Sequence, residues 1–281
     1  MRNKAKVNQI SSSVNLRRGV FPRVLYPNGL TASWTYDANN QLLQVSNATP
    51  TNTISQYDYS YDPAGRRVAC AKSGSAFAHN DTVAYAYNNR SELTNAVASV
   101  DSNYRYAYAF DDIGNRESSS ERGTNSVYAV NQLNQYTAVD DFTPEFDDDG
   151  NQTLVKTATG IWQVQYNGEN RPIFWVKGTN TISMSYDRIG RRVTKNNQRF
   201  VYDGYLQIAD NNGNEYVWDP TEKVATRPLV WSLSHIEPFN FSTSFYTHDG
   251  NKNVSEVIVS NSTVVAHYEY APFGLVTGLC D

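Results

Sequence analysis

The chain contains few cysteines and no long apolar run. Only Cys70 and Cys280 occur among its 281 residues, which is too few for a disulfide scaffold or a structural zinc site. No stretch approaches the roughly 18 apolar residues of a membrane-spanning helix. The basic residues 1–6 are not followed by an apolar segment, so they do not predict a signal peptide. We therefore expect export by another route, or excision of this piece from a longer chain.

Charged residues are also scarce. They make up 19% of the chain, with a net charge of −4 and a pI of about 5.6, so no basic surface is expected that would attract nucleic acid. No segment shows the apolar period of an amphipathic helix, and a phosphate-binding loop ahead of a helix is therefore not expected. No Gly-x-Ser-x-Gly sequence occurs, so no local motif of the sequence indicates a serine hydrolase.

Tyrosine, by contrast, is abundant, with 20 residues, and it stands at alternate positions of short segments. Ile182, Met184 and Tyr186 alternate with serines, which is the pattern of a β-strand with one apolar face. Asp187 can then accept a hydrogen bond from the backbone two residues on and start a turn. Gly190 stands where a type I turn followed by a β-bulge requires a positive φ. The segment predicts a β-hairpin, which is marginally stable alone and needs neighbours.

Near-copies of this hairpin recur along most of the chain. We number each repeat from its aromatic residue, so that the aromatic is position 1, Asp or Asn is position 2, and Gly or Asn is position 5. Twelve candidates for position 1 follow one another at intervals of 16 to 30 residues, about 21 on average. They are residues 36, 61, 87, 110, 130, 146, 166, 186, 202, 218, 248 and 270.

The repeat has few exceptions. Position 1 is aromatic except at Val130 and His248, and position 2 is Asp or Asn except at Ala271. Position 5, where left-handed backbone favours Gly or Asn, departs from this rule at Ser91, Leu206, Glu222 and Lys252. Such regularity predicts an all-β fold, a repeat array of antiparallel β-hairpins that forms a curved or spiralling sheet.

The rhythm of the repeats also divides the chain. Residues 1–21 lack periodicity and are predicted to form an irregular lead-in, and residues 22–220 are predicted to form the hairpin array. Residues 221–245 interrupt the rhythm with two proline-containing segments and are predicted to be an irregular insertion. Residues 246–281 are predicted to hold the final repeats.

Four segments carry a resemblance to a known family. They read YDPAGRR, FDDIGNR, YDRIGRR and YAPFG, at Tyr61–Arg67, Phe110–Arg116, Tyr186–Arg192 and Tyr270–Gly274. The chain resembles the YD-repeat proteins of the RHS (rearrangement hotspot) family over roughly residues 22–281. The resemblance implies a sheet of hairpins that forms part of a hollow shell. In bacterial members the shell encloses a C-terminal toxin until delivery, and in animal teneurins a similar shell belongs to cell-surface adhesion proteins.

The chain also departs from the toxin-bearing members of that family. In those, a core region with an aspartate-dependent self-cleavage site follows the repeats, whereas this sequence stops at Asp281 before any such region. Trp218-Asp219-Pro220 contains an Asp-Pro pair, but it lies at a repeat position and not in the cleavage context of the family. Self-cleavage and toxin activity are therefore not carried over to this chain.

The resemblance thus implies a structural role, in which the chain is part of a β-shell that encloses or displays another polypeptide, such as a C-terminal toxin domain. We expect a secreted or cell-surface protein that is not an enzyme, with no catalytic residues, cofactor or metal. A second hypothesis is a cell-surface adhesion or carbohydrate-binding module, whose exposed aromatic rings stack on surface glycans. A third is a glycosidase-like enzyme that uses two carboxylates, although the repeats explain eight aspartates as turn residues.

Two groups of polar residues invite a metal site. The acids from Glu145 to Asp149 precede Gly150 as in a calcium loop, but the twelfth position of that pattern, which needs a carboxylate, is Lys156. The four histidines, at positions 79, 235, 248 and 267, lack metal-ligand spacing. We expect His248 to be a packed or half-exposed ring, and His267 to lie on the strand face opposite Tyr268 and Tyr270.

Two arginine pairs, Arg66-Arg67 and Arg191-Arg192, recur at one repeat position. They could form a basic ladder for an anionic ligand. They could instead be solvated charges that protect sheet edges from aggregation, and we favour this second interpretation.

Overall fold

The computed structural model describes residues 11–13, 23–221, 226–234 and 241–280, and within these ranges the protein consists of 26 strands and contains no helix. Consecutive strands pair within each sheet, and all of these pairings are antiparallel, as in the hairpin of Tyr186. The predicted all-β array of antiparallel hairpins is therefore confirmed. No helix capable of crossing a membrane occurs in the described residues.

The strands form two sheets of twelve and fourteen strands, each ordered as in the sequence. Sheet 1 contains β1 Ser11–Ser13, β2 Arg23–Leu25, β3 Thr31–Tyr36, β4 Leu42–Ala48, β5 Thr53–Tyr61, β6 Arg67–Ser73, β7 Asp81–Tyr87, β8 Leu93–Ala98, β9 Arg105–Phe110, β10 Arg116–Glu121, β11 Thr124–Val130 and β12 Tyr136–Val139. Sheet 2 contains β13 Glu145–Phe146, β14 Gln152–Thr157, β15 Gly160–Tyr166, β16 Pro172–Lys177, β17 Asn180–Tyr186, β18 Arg192–Lys195, β19 Gln198–Asp203, β20 Leu206–Asp210, β21 Asn214–Trp218, β22 Pro228–Ser234, β23 Phe241–His248, β24 Val254–Val259, β25 Val264–Tyr270 and β26 Val276–Cys280.

The array is interrupted between β12 and β13. Val139 and Phe142 form a single β-bridge, and Asp140 between them has a φ of 53°. Pro144 follows, and proline has no backbone N–H to donate to a strand ladder. β12 and β13 are not neighbours in a sheet, so the array consists of two sheets and not one continuous sheet.

The turn of the repeat has the geometry that its sequence predicts. In the hairpin of Tyr186, the N–H of Asp187 donates to the carbonyl of Arg191 at 2.9 Å, and the N–H of Gly190 donates to the carbonyl of Asp187 at 3.0 Å. Oδ1 of Asp187 accepts the backbone N–H groups of Ile189 and Arg191, both at 3.0 Å. The strand register shifts at Tyr186, which is the predicted β-bulge, and Gly190 has a φ of 88°.

Position 5 keeps its left-handed backbone at two sites where the sequence departs from Gly or Asn. Ser91 and Lys252 have φ values of 65° and 68°, which such residues rarely adopt. Their turns retain both backbone hydrogen bonds of the repeat, so the geometry of the bulge overrides the preference of the residue. Leu206 differs, because a two-residue turn begins at Gly204 and Asp203 pairs with Leu206 inside the ladder. Asp203, expected to be a turn residue, therefore lies in a strand.

The tyrosines tie neighbouring hairpins together. The hydroxyl of a tyrosine at position 1 donates to the backbone carbonyl at position 7 of the preceding repeat, over 2.7 to 2.9 Å. The pairs are Tyr61–Leu42, Tyr87–Arg67, Tyr166–Gln152, Tyr186–Pro172, Tyr202–Arg192 and Tyr270–Val254. Each such bond contributes about 1 kcal/mol to the free energy of folding. Phenylalanine would fill the same space without this bond, which is a physical reason for tyrosine at this position.

Sheet 1 lies over the last strands of sheet 2, and we call this contact the seam. We call the face that carries position 1 the aromatic face. The aromatic face of sheet 1, with Trp34 and Tyr59, packs on the opposite face of sheet 2, with Phe245 and Ile258. A second cluster joins tyrosines of β9 to Ala271. The array thus turns back over itself, and the aromatic face of sheet 2 points away from the seam.

Two predicted segments fall partly outside the described residues. The lead-in, residues 1–21, is described only at β1. In the insertion, residues 221–245, the described part differs from an irregular segment, because β22 and β23 pair antiparallel. The preceding repeat closes between Asp219 and Arg227, whose carboxylate and guanidinium lie 2.8 Å apart. Asp219 and Arg227 are eight residues apart in the sequence, whereas the corresponding residues of a regular turn are four apart. This longer turn explains why the spacing of the repeats is interrupted here. The division into four segments stays a prediction.

Candidate functional site

Polar contacts across the seam are concentrated where β4–β6 meet β23–β25. Nζ of Lys72 lies 2.8 Å from Oε2 of Glu269. The hydroxyl of Tyr59 accepts the N–H of Gly250 at 2.8 Å. Side-chain and backbone groups thus join residues that are roughly 200 positions apart in the chain.

A fully buried carboxylate, Glu256, lies at the centre of these contacts. Its Oε2 accepts the hydroxyls of Ser55 in sheet 1 at 2.9 Å and of Ser255 at 2.8 Å, and also that of Thr247. Its Oε1 lies 2.9 Å from Nδ1 of His267. Both carboxylate oxygens therefore have hydrogen-bond partners, which is the condition for burying such a group without a large penalty.

Serine, histidine and glutamate are the residue types of a nucleophilic triad, but their geometry here is different. In a triad, Nε2 of the histidine takes the proton of the serine hydroxyl while the carboxylate holds Nδ1. Here Ser55 and Ser255 both bond to the carboxylate of Glu256. Nε2 of His267 has no hydrogen-bond partner within the described part of the chain. The arrangement is that of a polar tie between sheets, with neither serine placed against a base.

His248 is the last residue of β23 and Asp249 follows it in the turn, and burial shifts the pKa of both side chains. His248 is 1% exposed, and burial lowers its pKa to about 3, with the charge of Arg227 acting in the same direction. His248 is thus neutral at pH 7, and of the two expected alternatives, a packed or a half-exposed ring, the structure has the packed one. Burial raises the pKa of Asp249, against hydrogen bonds from Asn253 that favour the charged form. Lowering the pH therefore has opposite effects at the two residues. Protonation of the His248 imidazole favours the unfolded chain, whereas protonation of the Asp249 carboxylate favours the folded one.

A cavity of about 390 Å³ lies beside this network. Arg67 and Lys72 line it from sheet 1, and Asp249 and Glu269 line it from sheet 2. Lys72 pairs with Glu269, the guanidinium of Arg67 lies 3.9 Å from a tyrosine ring centroid, and Asp249 accepts turn amides. Cys70 also lines the cavity, and burial raises its thiol pKa to about 11. The charges are engaged by the protein itself, so the cavity offers few open groups to a ligand.

The acidic run expected to resemble a calcium loop forms a repeat turn. Oδ1 of Asp147 accepts the N–H groups of Asp149 and Asn151 at 3.1 and 2.8 Å. The side-chain hydrogen bond from Asn151 holds the pKa of Asp147 below its usual value. Among the described residues, no group of three His, Cys, Asp or Glu side chains is arranged to hold a metal ion. His79 is exposed, and His235 lies outside the described residues.

The arginine pairs are not solvated edge charges, so that interpretation is wrong. Arg66 and Arg191 bond the aspartate of their own turn at 2.6 and 2.7 Å, and they lie over the tyrosine of the next repeat at 5.2 and 5.1 Å. Arg67 and Arg192 lie over aromatic rings of the neighbouring strands at 3.9 and 5.2 Å. The negative face of an aromatic ring attracts a guanidinium. These side chains are thus structural ties between repeats, and they do not form an open basic ladder.

The aromatic face of sheet 2 carries an open cleft of about 470 Å³ across β20–β25. Five aromatic side chains and one amide supply most of its lining, and none of the described residues that line it is charged. They are Tyr216, Trp218, Tyr246, Tyr268, Tyr270 and Gln207. The alternation of the strands predicts the aromatic row, but nothing in the sequence predicted a cleft, because it arises from the way neighbouring hairpins stand side by side.

These features define the class of the protein, which has the fold of the RHS-type shells built from YD-repeat hairpins, as the resemblance implied. It is similar to the Photorhabdus luminescens Tc holotoxin pore with the mutation TccC3-D651A, at a TM-score of 0.69 and 14% identity over 92% of this chain and 15% of that one. It is also similar to the TcdB2-TccC3-Cdc42 structure, at a TM-score of 0.72 and 17% identity, again over 92% of this chain and 15% of that one. At such identities the likeness shows the fold alone.

Sequence comparison gives one further relative. The chain is 27% identical over 187 residues to the tRNA3(Ser)-specific nuclease WapA of Bacillus spizizenii, which is 59% of this chain and 7% of that protein. No family model matches the chain. The chain thus spans 7% of this curated relative and 15% of the Tc toxin chains, so it corresponds in length to a small part of each.

Proposed function

We propose that this chain is a wall segment of an RHS-type shell that encloses or displays another polypeptide, and that its own residues make and break no bonds. The observation that carries the proposal is the layering of the two sheets. Within the described part of the chain, sheet 1 covers one face of the end of sheet 2, and an aromatic cleft on the other face is open. A sheet with one covered face and one open, ring-lined face is suited to contact a second polypeptide.

The chemistry of the polar residues supports the non-catalytic part of the proposal. Asp147 and Asp187 are engaged by turn amides, and Glu256 is engaged by hydroxyls across the seam. A carboxylate whose oxygens already accept several hydrogen bonds is a poor general base, because a donor that is already in place would have to be displaced before a substrate proton could be accepted.

The comparisons support the choice of partner and location. Structures with this fold contain a Tc holotoxin pore and TcdB2-TccC3 complexes, and the curated relative is a nuclease of much greater length. We infer that the partner is a polypeptide cargo, such as a toxin domain, and that the protein is secreted or displayed at the cell surface.

Protease protection tests the proposal. An unstructured, trypsin-sensitive reporter is fused after Asp281, and its digestion rate is compared with that of the same reporter added as a free peptide to the unfused chain. Slower digestion of the fused reporter is expected. Equal rates would contradict enclosure, and turnover of a nucleic-acid or glycan substrate by the purified chain would contradict the non-catalytic role.

A further inference from the structure

The cleft across β20–β25 is lined by rings whose positions are fixed by the fold. Nε1 of Trp218 donates to the carbonyl of Gln207 at 2.7 Å. The hydroxyl of Tyr270 donates to the carbonyl of Val254 at 2.7 Å. Two of the five rings are therefore held by hydrogen bonds to the backbone, and a ligand that stacks on them needs to order little of the protein.

The other three rings carry unused donors. Within the described residues, the hydroxyls of Tyr216, Tyr246 and Tyr268 take part in no hydrogen bond, although each side chain lines the cleft. A phenol is most effective as a hydrogen-bond donor. Among the described lining residues, one planar amide and no charged side chain is present as a stronger acceptor. The cleft therefore suits a neutral ligand that presents carbonyl oxygens and apolar surfaces.

The distance between successive sets of aromatic rings determines the repeat distance that a matching ligand should have. Tyr216 and Trp218 lie on β21, Tyr246 lies on β23, and Tyr268 and Tyr270 lie on β25, so the aromatic strands alternate with non-aromatic ones. Neighbouring strands are about 4.8 Å apart, which places ring sets about 9.6 Å apart. A polyproline II helix rises 3.1 Å per residue with three residues per turn, or about 9.3 Å per turn.

We propose that this cleft binds a neutral polypeptide segment in the polyproline II conformation, lying across the strands with a proline at every third residue. Each proline stacks on one ring set, and the free tyrosine hydroxyls donate to backbone carbonyls, which are fully exposed in this conformation. A sugar chain is a poorer match, because its many hydroxyl donors would find few acceptors in the cleft. The inference rests on the proposed role as a polypeptide-contacting wall, and it names the segment of the partner that the wall recognises.

Two capped nonapeptides test the proposal by isothermal titration calorimetry on the full chain. In the first, Pro-Ala-Ala is repeated three times, and in the second, the same residues are arranged with prolines at every second position. The first peptide is expected to bind about tenfold more tightly, since the second loses a matched ring contact. Equal affinity, or no binding of either peptide, would overturn the proposal.

Variants locate the binding. Tyr216→Phe and Tyr268→Phe keep the rings and remove only hydroxyls that bond to none of the described residues, so both variants should fold and bind several-fold more weakly. Tyr205→Phe is the matched control, because Tyr205 is 62% exposed and lies outside the cleft, and its affinity should equal that of the wild type. Unchanged affinity in both cleft variants would refute the assignment.

A hexasaccharide titration and the protease experiment separate the remaining outcomes. Tighter binding of the hexasaccharide than of the first peptide would assign the cleft to glycans and overturn the peptide proposal. If the fused reporter is protected but neither peptide binds, the cleft assignment fails and the wall role stands. If the first peptide binds but the reporter is unprotected, the wall role fails and the peptide site stands.

Discussion

Replacing Gly250 by alanine should weaken the seam, because the new methyl group would meet Tyr59. A Cβ at Gly250 would lie 2.6 Å from Oη and 2.7 Å from two ring carbons of Tyr59. The ring cannot move away easily, since it is 7% exposed and the guanidinium of Arg67 lies 3.9 Å from its centroid. Its hydroxyl is also held by the N–H of Gly250 itself.

Gly168 provides the matched control. It occupies the same repeat position as Gly250, neither residue has a left-handed φ, and a Cβ at Gly168 would meet nothing within 4 Å. Gly168→Ala should therefore be neutral or should stabilise the fold by about 0.4 to 1 kcal/mol, because alanine restricts the unfolded chain.

The expected loss at Gly250 follows from two contributions. Overpacking in a filled site costs about 1 to 3 kcal/mol, and the displaced hydrogen bond to Tyr59 adds about 1 kcal/mol. Gly250→Ala should thus lower the free energy of unfolding by about 2 to 4 kcal/mol, which is a decrease in Tm of roughly 5 to 15 °C for a chain of this size.

Thermal unfolding of both variants, followed by tryptophan fluorescence, measures the difference. A double-mutant cycle with Tyr59→Leu should show a coupling energy above about 1 kcal/mol, because the clash disappears with the ring. If Gly250→Ala melts within 1 °C of Gly168→Ala, the packing of sheet 1 on sheet 2 described above is refuted.

Three further outcomes are expected. The depressed pKa of His248, about 3, means that only the unfolded chain gains this proton below about pH 6.5. The free energy of unfolding should fall by up to about 1.4 kcal/mol per pH unit from there towards pH 3. In urea titrations, His248→Phe should lose less stability between pH 7 and pH 5 than the wild type. An equal loss would contradict a buried, neutral His248. Tyr186→Phe should cost about 1 kcal/mol in urea denaturation through its lost hydroxyl bond, whereas Tyr205→Phe should cost nothing, and equal effects would argue against the tyrosine ties. Asp81 accepts four backbone N–H groups and one hydroxyl, so Asp81→Ala should cost about 1 to 2 kcal/mol in the same assay, and Asp112→Ala, at a fully exposed carboxylate, should be neutral; a neutral Asp81→Ala would show that the loop does not need this carboxylate.

The repeat could be predicted from the sequence because its determinants are local. Tyr186, Asp187 and Gly190 each act within one hairpin, through strand alternation, an amide-accepting carboxylate and a positive φ. Ser91 and Lys252 show where this reasoning is limited. Their left-handed backbone comes from the hydrogen bonds of the turn, so residue preference alone gives the wrong expectation at these sites.

The seam and the cleft could not be predicted, because they depend on which hairpins meet. Ser55 and Glu256 are 201 residues apart, and no local pattern marks them as partners. His267 and Glu269 share the strand face that alternation assigns to solvent, yet His267 is 4% exposed, because sheet 1 covers that face. The alternation fixes the two faces of a strand, whereas the return of the array over itself decides which face is buried.

The seam also determines when the chain can complete its core during synthesis. Tyr59 and Gly250 are 191 residues apart, and at 5 to 20 residues per second a ribosome needs roughly 10 to 40 s to add them. Hairpins can form at once, because their contacts are local. The aromatic rings of β3–β9 remain exposed to solvent until the last strands of sheet 2 have been synthesised. The nascent chain is therefore the form most exposed to aggregation, and a holding chaperone would have its greatest effect during this interval.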